Sequence, residues 1–418
     1  MSKSEKYKTT ISEVRAKIAY AKRCGTKQDS IGYYGCIDIC NTFMEILDEA
    51  EKLVYKGEYF LAFSMITLVV INNAKLASKG DSSSGCVNDV QWQAEELMEK
   101  ICNSEEIKGT AEASEIFSQA LKDSQNAAFD DWEDFSYSIL IVVANLSTKE
   151  NVSKLYGTLD KITDKRKSQK YSTYKEWDCL VRIKAIRAVD GFDAANEYAN
   201  KNLQYHDVRK VAVQMATESK NYSYAEKLCN EIIDEKGRDN FWAGEWFELL
   251  LEVYKKSEND EAKINLVHEL LVDRHEAKYY GMYKELLQRF GRWEQESLVL
   301  LNELEHSVSY ESFVDILWKE NQESRLLEHM KKYPSIALYY TEKLGNRYSD
   351  VTFPLCITEI ERHASQSSNR QQYKNVCREI KKLFNCGADV MPLIEKLKDN
   401  YPRRSAFIDE LEKLKAKI

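Results

Sequence analysis

Apolar residues recur along the second half of the chain with the period of an α-helix. From Trp246, positions 246, 250 and 253 share one helical face, and 247, 251 and 254 share another. A polar break over 257–260 follows, and Ile264, Val267, Leu270 and Leu271 open a second helix. Tyr279, Tyr283, Leu286, Leu287 and Phe290 define a third, which Gly291 closes as a C-terminal cap. Helices with two apolar faces must pack between neighbours on both sides. The breaks share a chemistry as well. Tyr59 with Ala62, Phe192 with Ala195 and Tyr222 with Ala225 repeat an aromatic-x-x-Ala step just after a turn. Asn259 with Ala262 and Trp293 with Glu296 are degenerate copies. Positions 195, 225, 262 and 296 lie 30, 37 and 34 residues apart, near the ~34-residue tetratricopeptide period. A small residue at the crossing point lets the two helices of a hairpin approach closely.

The first half is less regular. Its pattern predicts helices over residues 8–23, 33–55, 59–76 and 88–102, with a polar loop, Ser78-Lys-Gly-Asp-Ser-Ser-Ser-Gly85, between the last two. The segment 126–135, carrying Asp130-Asp131-Trp132-Glu133-Asp134, reads as a further connection. The polar, basic stretch 161–175 reads as a boundary between an N-terminal helical block, 1–160, and a helical repeat array, 161–418.

Composition supports helices over strands. The 418 residues include 15 Gly and 4 Pro, where average usage predicts roughly 29 and 21. Hairpin-rich β folds and phosphate-loop α/β folds need more of that punctuation. The net charge is −8, without the overall basic excess of a protein that coats nucleic acid. No run of 18 apolar residues occurs; the longest candidate, 63–74, is broken by Ser64, Thr67, Asn72 and Asn73. The first residues lack a signal-peptide core, so the expectation is a soluble, cytoplasmic protein. Ten cysteines form no Cys-x-x-Cys pair, and the expectation is reduced thiols acting as small hydrophobes.

Several of these features together resemble one family. They are the helix over 40–53, Gly57-Glu58-Tyr59, the loop Asp81-Ser-Ser-Ser-Gly85 and the Asp130-Asp131-Trp132 element. Further on come residues 344–355, Ser368-Asn369-Arg370-x-x-Tyr373, Lys381-Lys382-Leu383, Tyr401-Pro402-Arg403-Arg404 and Asp409-Glu410-Leu411. Over residues 33–414 the chain resembles the helical, tetratricopeptide-like region of bacterial SWIM zinc-finger proteins. The resemblance implies a shared helical fold. The finger itself, a Cys-x-Cys followed by Cys-x-His, is absent, so the finger's binding role does not carry over.

Candidate chemistry is sparse. Arg370, Lys374, Arg378 and Lys381/Lys382 fall at i, i+4, i+8 and i+11/12, a basic stripe opposite Tyr373, Val376, Cys377, Ile380, Leu383 and Phe384. Arg403 and Arg404 extend it, and from Arg362 onward the chain carries 13 basic and 7 acidic residues. The stripe reads first as a solvated face and second as a contact for phosphates or an acidic protein. A second basic run comprises Lys161, Lys165, Arg166, Lys167, Lys170, Lys175, Arg182, Lys184 and Arg187, with Tyr171 and Tyr174 interleaved. It reads first as a charged connection and second as a nucleic-acid contact. The segment 89–134 holds 13 acidic and 3 basic residues and offers a basic partner a surface. His268 and His275 stand seven residues apart, about 10.5 Å along a helix, too far to share a zinc ion. Cys36 and Cys40, at i and i+4, are placed to co-ligate a metal only if distant residues complete the set, so core packing is the reading adopted. Walker, dinucleotide-binding and nucleophile-elbow motifs are missing.

The expectation is an all-α superhelix of stacked helical hairpins, with no catalytic residue, cofactor or metal assigned. Its expected function is a non-catalytic scaffold for a protein or peptide partner. The alternatives are an accessory nucleic-acid-binding module, or a subunit working with a separately encoded effector or metal-binding protein. No membrane partner is expected.

Overall fold

The computed structural model describes residues 3–27, 30–166 and 174–418. They form 22 α-helices and no β-strand, so the chain is all-α. It divides into two compact units, Met1–Ser257 and Glu258–Ile418.

The first unit opens with α1 (Lys3–Gly25), α2 (Tyr33–Val54), α3 (Tyr59–Ala77), α4 (Cys86–Cys102), α5 (Ala111–Asp123) and α6 (Glu133–Val143). It continues with α7 (Val152–Arg166), α8 (Tyr174–Asp190), α9 (Phe192–Asn200), α10 (His206–Glu218), α11 (Tyr222–Lys236) and α12 (Gly244–Lys256). Helix α3 is apolar all round, and 13 of its 19 residues are buried. Such a helix needs cover on every side, and α1, α2, α4, α5 and α6 all pack against it. By length and composition α3 passes for a membrane span, but 72% of its most apolar window is buried inside the protein. Its buried polar groups are partly satisfied internally: the Ser64 hydroxyl donates to the Phe60 carbonyl at 2.8 Å and Asn73 Nδ2 donates to the Val87 carbonyl at 2.9 Å, while Asn73 Oδ1 has no hydrogen-bond partner.

Helices α1 and α2 meet at two glycines. A methyl group on Gly25 would sit 2.7 Å from the Gly35 carbonyl oxygen, and one on Gly35 would overlap the Gly25 carbonyl. Only hydrogen fits at that crossing.

Of the stretch expected to be a connection, 161–175, residues 167–173 lie outside the described residues and the rest is helical. Residues through Arg166 are helical because Leu155, Leu159 and Ile162 keep an apolar face buried in the core. Helix α8 packs on α6 and α7 within the first unit.

The second unit contains α13 (Asp260–Val272), α14 (Tyr280–Arg289), α15 (Trp293–Ser307), α16 (Tyr310–Lys319) and α17 (Glu323–Lys332). Helices α18 (Ala337–Leu344), α19 (Ser349–Gln366), α20 (Arg370–Asn385), α21 (Met391–Asn400) and α22 (Ser405–Lys415) complete it.

One turn recurs in both units. Gly191, Lys220, Glu258, Gly291 and Asn321 all have positive φ, at successive spacings of 29, 38, 33 and 30 residues. At three of them the helix ends in the same paired hydrogen bonds. Lys220 N–H donates to Thr217 and Asn221 N–H to Ala216; Gly291 pairs with Gln288 and Arg292 with Leu287; Asn321 pairs with Trp318 and Gln322 with Leu317. This is the Schellman termination, which places one residue in the left-handed region. The aromatic-x-x-Ala step follows: Ala62, Ala195 and Ala225 are fully buried, while Ala262 is half-buried.

Two outcomes test these constraints. Gly35→Ala should cost roughly 1–3 kcal/mol through overpacking, read by urea denaturation. Lys220→Gly should stabilise the protein by about 1 kcal/mol by relieving the left-handed lysine, seen as a higher urea midpoint at unchanged slope.

Candidate binding surfaces and a thiol cluster

Helix α20 begins where the Asn369 side chain accepts the Gln372 N–H at 3.0 Å. Tyr373, Val376, Cys377, Ile380 and Leu383 form its buried face, and Tyr373 stacks on Phe407 of α22 at 4.8 Å between ring centroids. Phe384, expected on that face, is instead 39% exposed. It lies at the edge of the apolar stripe, in the last turn of the helix.

The basic residues separate into three kinds. Lys374, Arg378, Lys381 and Lys382 are exposed, and among the described residues none of them pairs with a carboxylate; Arg378 reaches only the Asn375 side-chain oxygen at 3.1 Å. By contrast, every lysine of α21 and α22 is paired: Lys396 with Glu361, Lys398 with Glu395 and Glu412, Lys413 with Asp409, and Lys415 with Glu395. Arg370 also leaves the stripe electrically, bridging to Asp409 at 2.9 Å and Glu410 at 3.7 Å. Arg404 is structural. Its guanidinium donates to the Ala364 and Ser365 carbonyls at the end of α19 and stacks over Tyr401 at 4.2 Å. Arg403 beside it is exposed.

Of the six cations of the second basic run whose side chains are described, three are neutralised. Arg182 pairs with Asp178 at 2.7 Å and Asp160 at 3.1 Å, and lies over the Tyr156 ring. Lys184 reaches Glu99, and Arg187 reaches Glu218. Lys165 is exposed on α7. Arg166 ends that helix, and its side chain, together with Lys167 and Lys170, lies outside what the structure describes. Lys184 and Arg187 also edge a cavity of about 1000 Å³, where the buried Ser147 hydroxyl has no hydrogen-bond partner.

The acidic segment is engaged within its own unit. Glu112 accepts the Phe60 N–H at 2.8 Å, Glu106 accepts the Tyr59 hydroxyl at 2.7 Å, and Glu95 accepts Gln91 Nε2 at 2.8 Å. Burial raises the Glu95 carboxyl above its ordinary value. Four of the six histidines have separate partners: His268 meets Glu303, His329 meets Glu305, His206 lies between Asp207 and Glu245, and His363 between Glu359 and Glu379.

An arrangement that sequence reasoning missed lies beside α3. Cys36 and Cys40 occupy the first two turns of α2, and Cys86 is the first residue of α4. Their three sulfurs all lie within 4.8 Å of one another, with Cys36 and Cys86 at 3.9 Å. Among the described residues this is the one group of three or more His, Cys, Asp or Glu side chains placed to share an ion. The loop 78–85 makes it possible. A methyl group on Gly80 would stand 3.0 Å from Leu76 and 3.4 Å from the Cys36 sulfur, so a glycine lets the chain pass close over the cluster. Gly85, at φ 83°, then turns the chain into α4. The loop's start is tied by Trp132 Nε1, which donates to the Ser78 hydroxyl at 3.0 Å. Burial, and then the neighbouring Cys86 sulfur, push the Cys36 and Cys40 thiols up from 9.0, so both are protonated at neutral pH in the metal-free protein.

No family model, curated protein or solved structure matches this chain.

The two neighbouring arginines should behave oppositely. Arg404→Ala should cost about 1–3 kcal/mol by uncapping α19, whereas Arg403→Ala should stay within roughly 0.5 kcal/mol of the parent. Paired denaturation curves check both.

Proposed function

We propose that the protein is a non-catalytic helical scaffold, its hairpins stacked in the tetratricopeptide manner, which recruits an acidic protein segment through the exposed face of α20. The observation that carries this reading is the contrast in pairing. Lys374, Arg378, Lys381 and Lys382 stand unpaired by carboxylates on one helix face, while the lysines of α21 and α22 are all neutralised within the unit. Four positive charges spread over about 12 Å of helix set up a local field that favours an anionic partner and speeds encounter.

The character of the face favours a protein over a nucleic acid. Beside the cations on that helix lie Gln371, Asn375 and Asn385, which are exposed amides suited to hydrogen-bonding an extended peptide. Of the two aromatic residues of α20, Tyr373 is packed on Phe407 and Phe384 lies at the edge of the apolar stripe, so no aromatic group on which single-stranded bases would stack stands among the cations. The likeness to the helical part of SWIM proteins supports a related role, in which a separately encoded effector or metal-binding protein supplies the acidic segment.

A direct test titrates the full-length chain with a fluorescent Asp/Glu-rich peptide and, in parallel, with single-stranded and duplex oligonucleotides. The peptide should bind, weaken roughly tenfold between 50 and 200 mM salt as screening grows, and lose binding in the Lys374→Glu/Arg378→Glu/Lys381→Glu/Lys382→Glu variant. Oligonucleotide binding without peptide binding, or peptide binding that survives the fourfold reversal, would overturn the proposal.

A further inference from the structure

The thiol cluster is independent of the α20 face. We propose that Cys36, Cys40 and Cys86 together bind one Zn²⁺ ion through three thiolate bonds, with the fourth position open to water on the Cys86 side.

The geometry is the first argument. Three points within 4.8 Å of one another always have a common centre no more than about 2.8 Å from each, and Zn–S bonds are ~2.3 Å long. The sulfurs of a tetrahedral site with such bonds stand about 3.8 Å apart, and Cys36 and Cys86 already stand at 3.9 Å. A closure of about half an ångström at each sulfur, within reach of a χ1 adjustment, completes the shell.

The second argument is electrostatic. Zinc with three thiolates carries one negative charge. Cys86 is the first residue of α4, and Cys36 the fourth of α2, so the amide-rich ends of two helices meet the cluster. Helix N-termini stabilise thiolate and anionic charge.

The third argument comes from cysteines elsewhere in the fold. Cys102 and Cys229 are fully buried with no second thiol beside them, as packing cysteines should be. A cluster of three sulfurs is a different arrangement, and it is not a closed one. Cys36 and Cys40 are buried, but Cys86 is only partly so, at the mouth of the loop that ends in Gly85. An ion can enter there.

Loading is proton-balanced: Zn²⁺ and three neutral thiols give a tris-thiolate zinc centre of charge −1 and three protons released to solvent. The bond network would tie α2 to α4 across the edge of α3, closing the loop 78–85 in place.

Co²⁺ is the spectroscopic probe. The reduced, metal-stripped, full-length protein should take up one equivalent. It should develop a sulfur-to-cobalt charge-transfer band with intense visible bands, and lose both when Zn²⁺ displaces the cobalt. Cys40→Ser and Cys86→Ser should each weaken uptake roughly 100-fold or more, while Cys24→Ser, at an exposed thiol, should leave it unchanged. Should the buried Cys40 variant fail to fold, the partly buried Cys86→Ala variant and calorimetric proton counting on the parent still decide. Three protons per ion support the site. The proposal fails if no saturable uptake appears, if the cobalt spectrum lacks the charge-transfer band, or if Cys86→Ala binds as tightly as the parent. It also fails if mild oxidation joins Cys36 to Cys86 while the reduced protein ignores metal. None of these outcomes depends on α20, so the two proposals stand or fall separately.

Discussion

Helix α3 has no polar face, and a helix of that kind cannot rest on a surface. Its side chains, among them Phe63, Met65, Ile66, Val69 and Val70, are buried by helices arriving from several directions. Each large apolar group withdrawn from water contributes on the order of 1.5–3 kcal/mol, which far exceeds what any surface ion pair here provides. Much of the first unit follows from that demand. Helices α1 and α2 approach so closely that two glycines mark the crossing, and α4 packs on both α3 and α2, with its start beside the start of α2. The thiol cluster is a by-product of the same geometry, because covering α3 brings those two helix starts together.

Much of this was legible in the sequence. The paired faces of 246–254, the loop 78–85 and the small residues after turns correspond to observed features, since each depends on local pattern or on a residue with unusual backbone freedom. The repeated turn was only half legible. Gly291 announces itself, but Lys220 and Asn321 hold the same left-handed position without a glycine to signal it. There the termination bonds and the packing of the following helix override local preference. The polar run 161–166 misled for a related reason: its charges lie on the solvent side of a helix whose other face is apolar.

The candidate surfaces show a sharper limit. The i, i+4, i+8 spacing on α20 identified which residues share a face, because that relation is internal to one helix. Which cations remain unpaired depends on α19 and α22. Arg370 and Arg404 look equivalent to their neighbours in sequence, yet one is neutralised by Asp409 and the other caps a helix. Cys86 was invisible in the same way. Nothing in the 45 residues between it and Cys40 states that the two will meet; only the packing of α2 and α4 on α3 and on each other does.

The hydrogen bond from Trp132 to Ser78 gives this region an optical property. Ser78 is the C-cap of α3, at the entrance to the loop that passes over Cys36, and the indole bonded to it is 39% exposed. Indole emission responds to loss of a hydrogen bond and to changes in hydration. The chain therefore carries, one loop away from its sulfurs, one of its seven tryptophans as a native fluorophore whose emission depends on the bond at the loop's entrance. Its state can be followed without attaching a label.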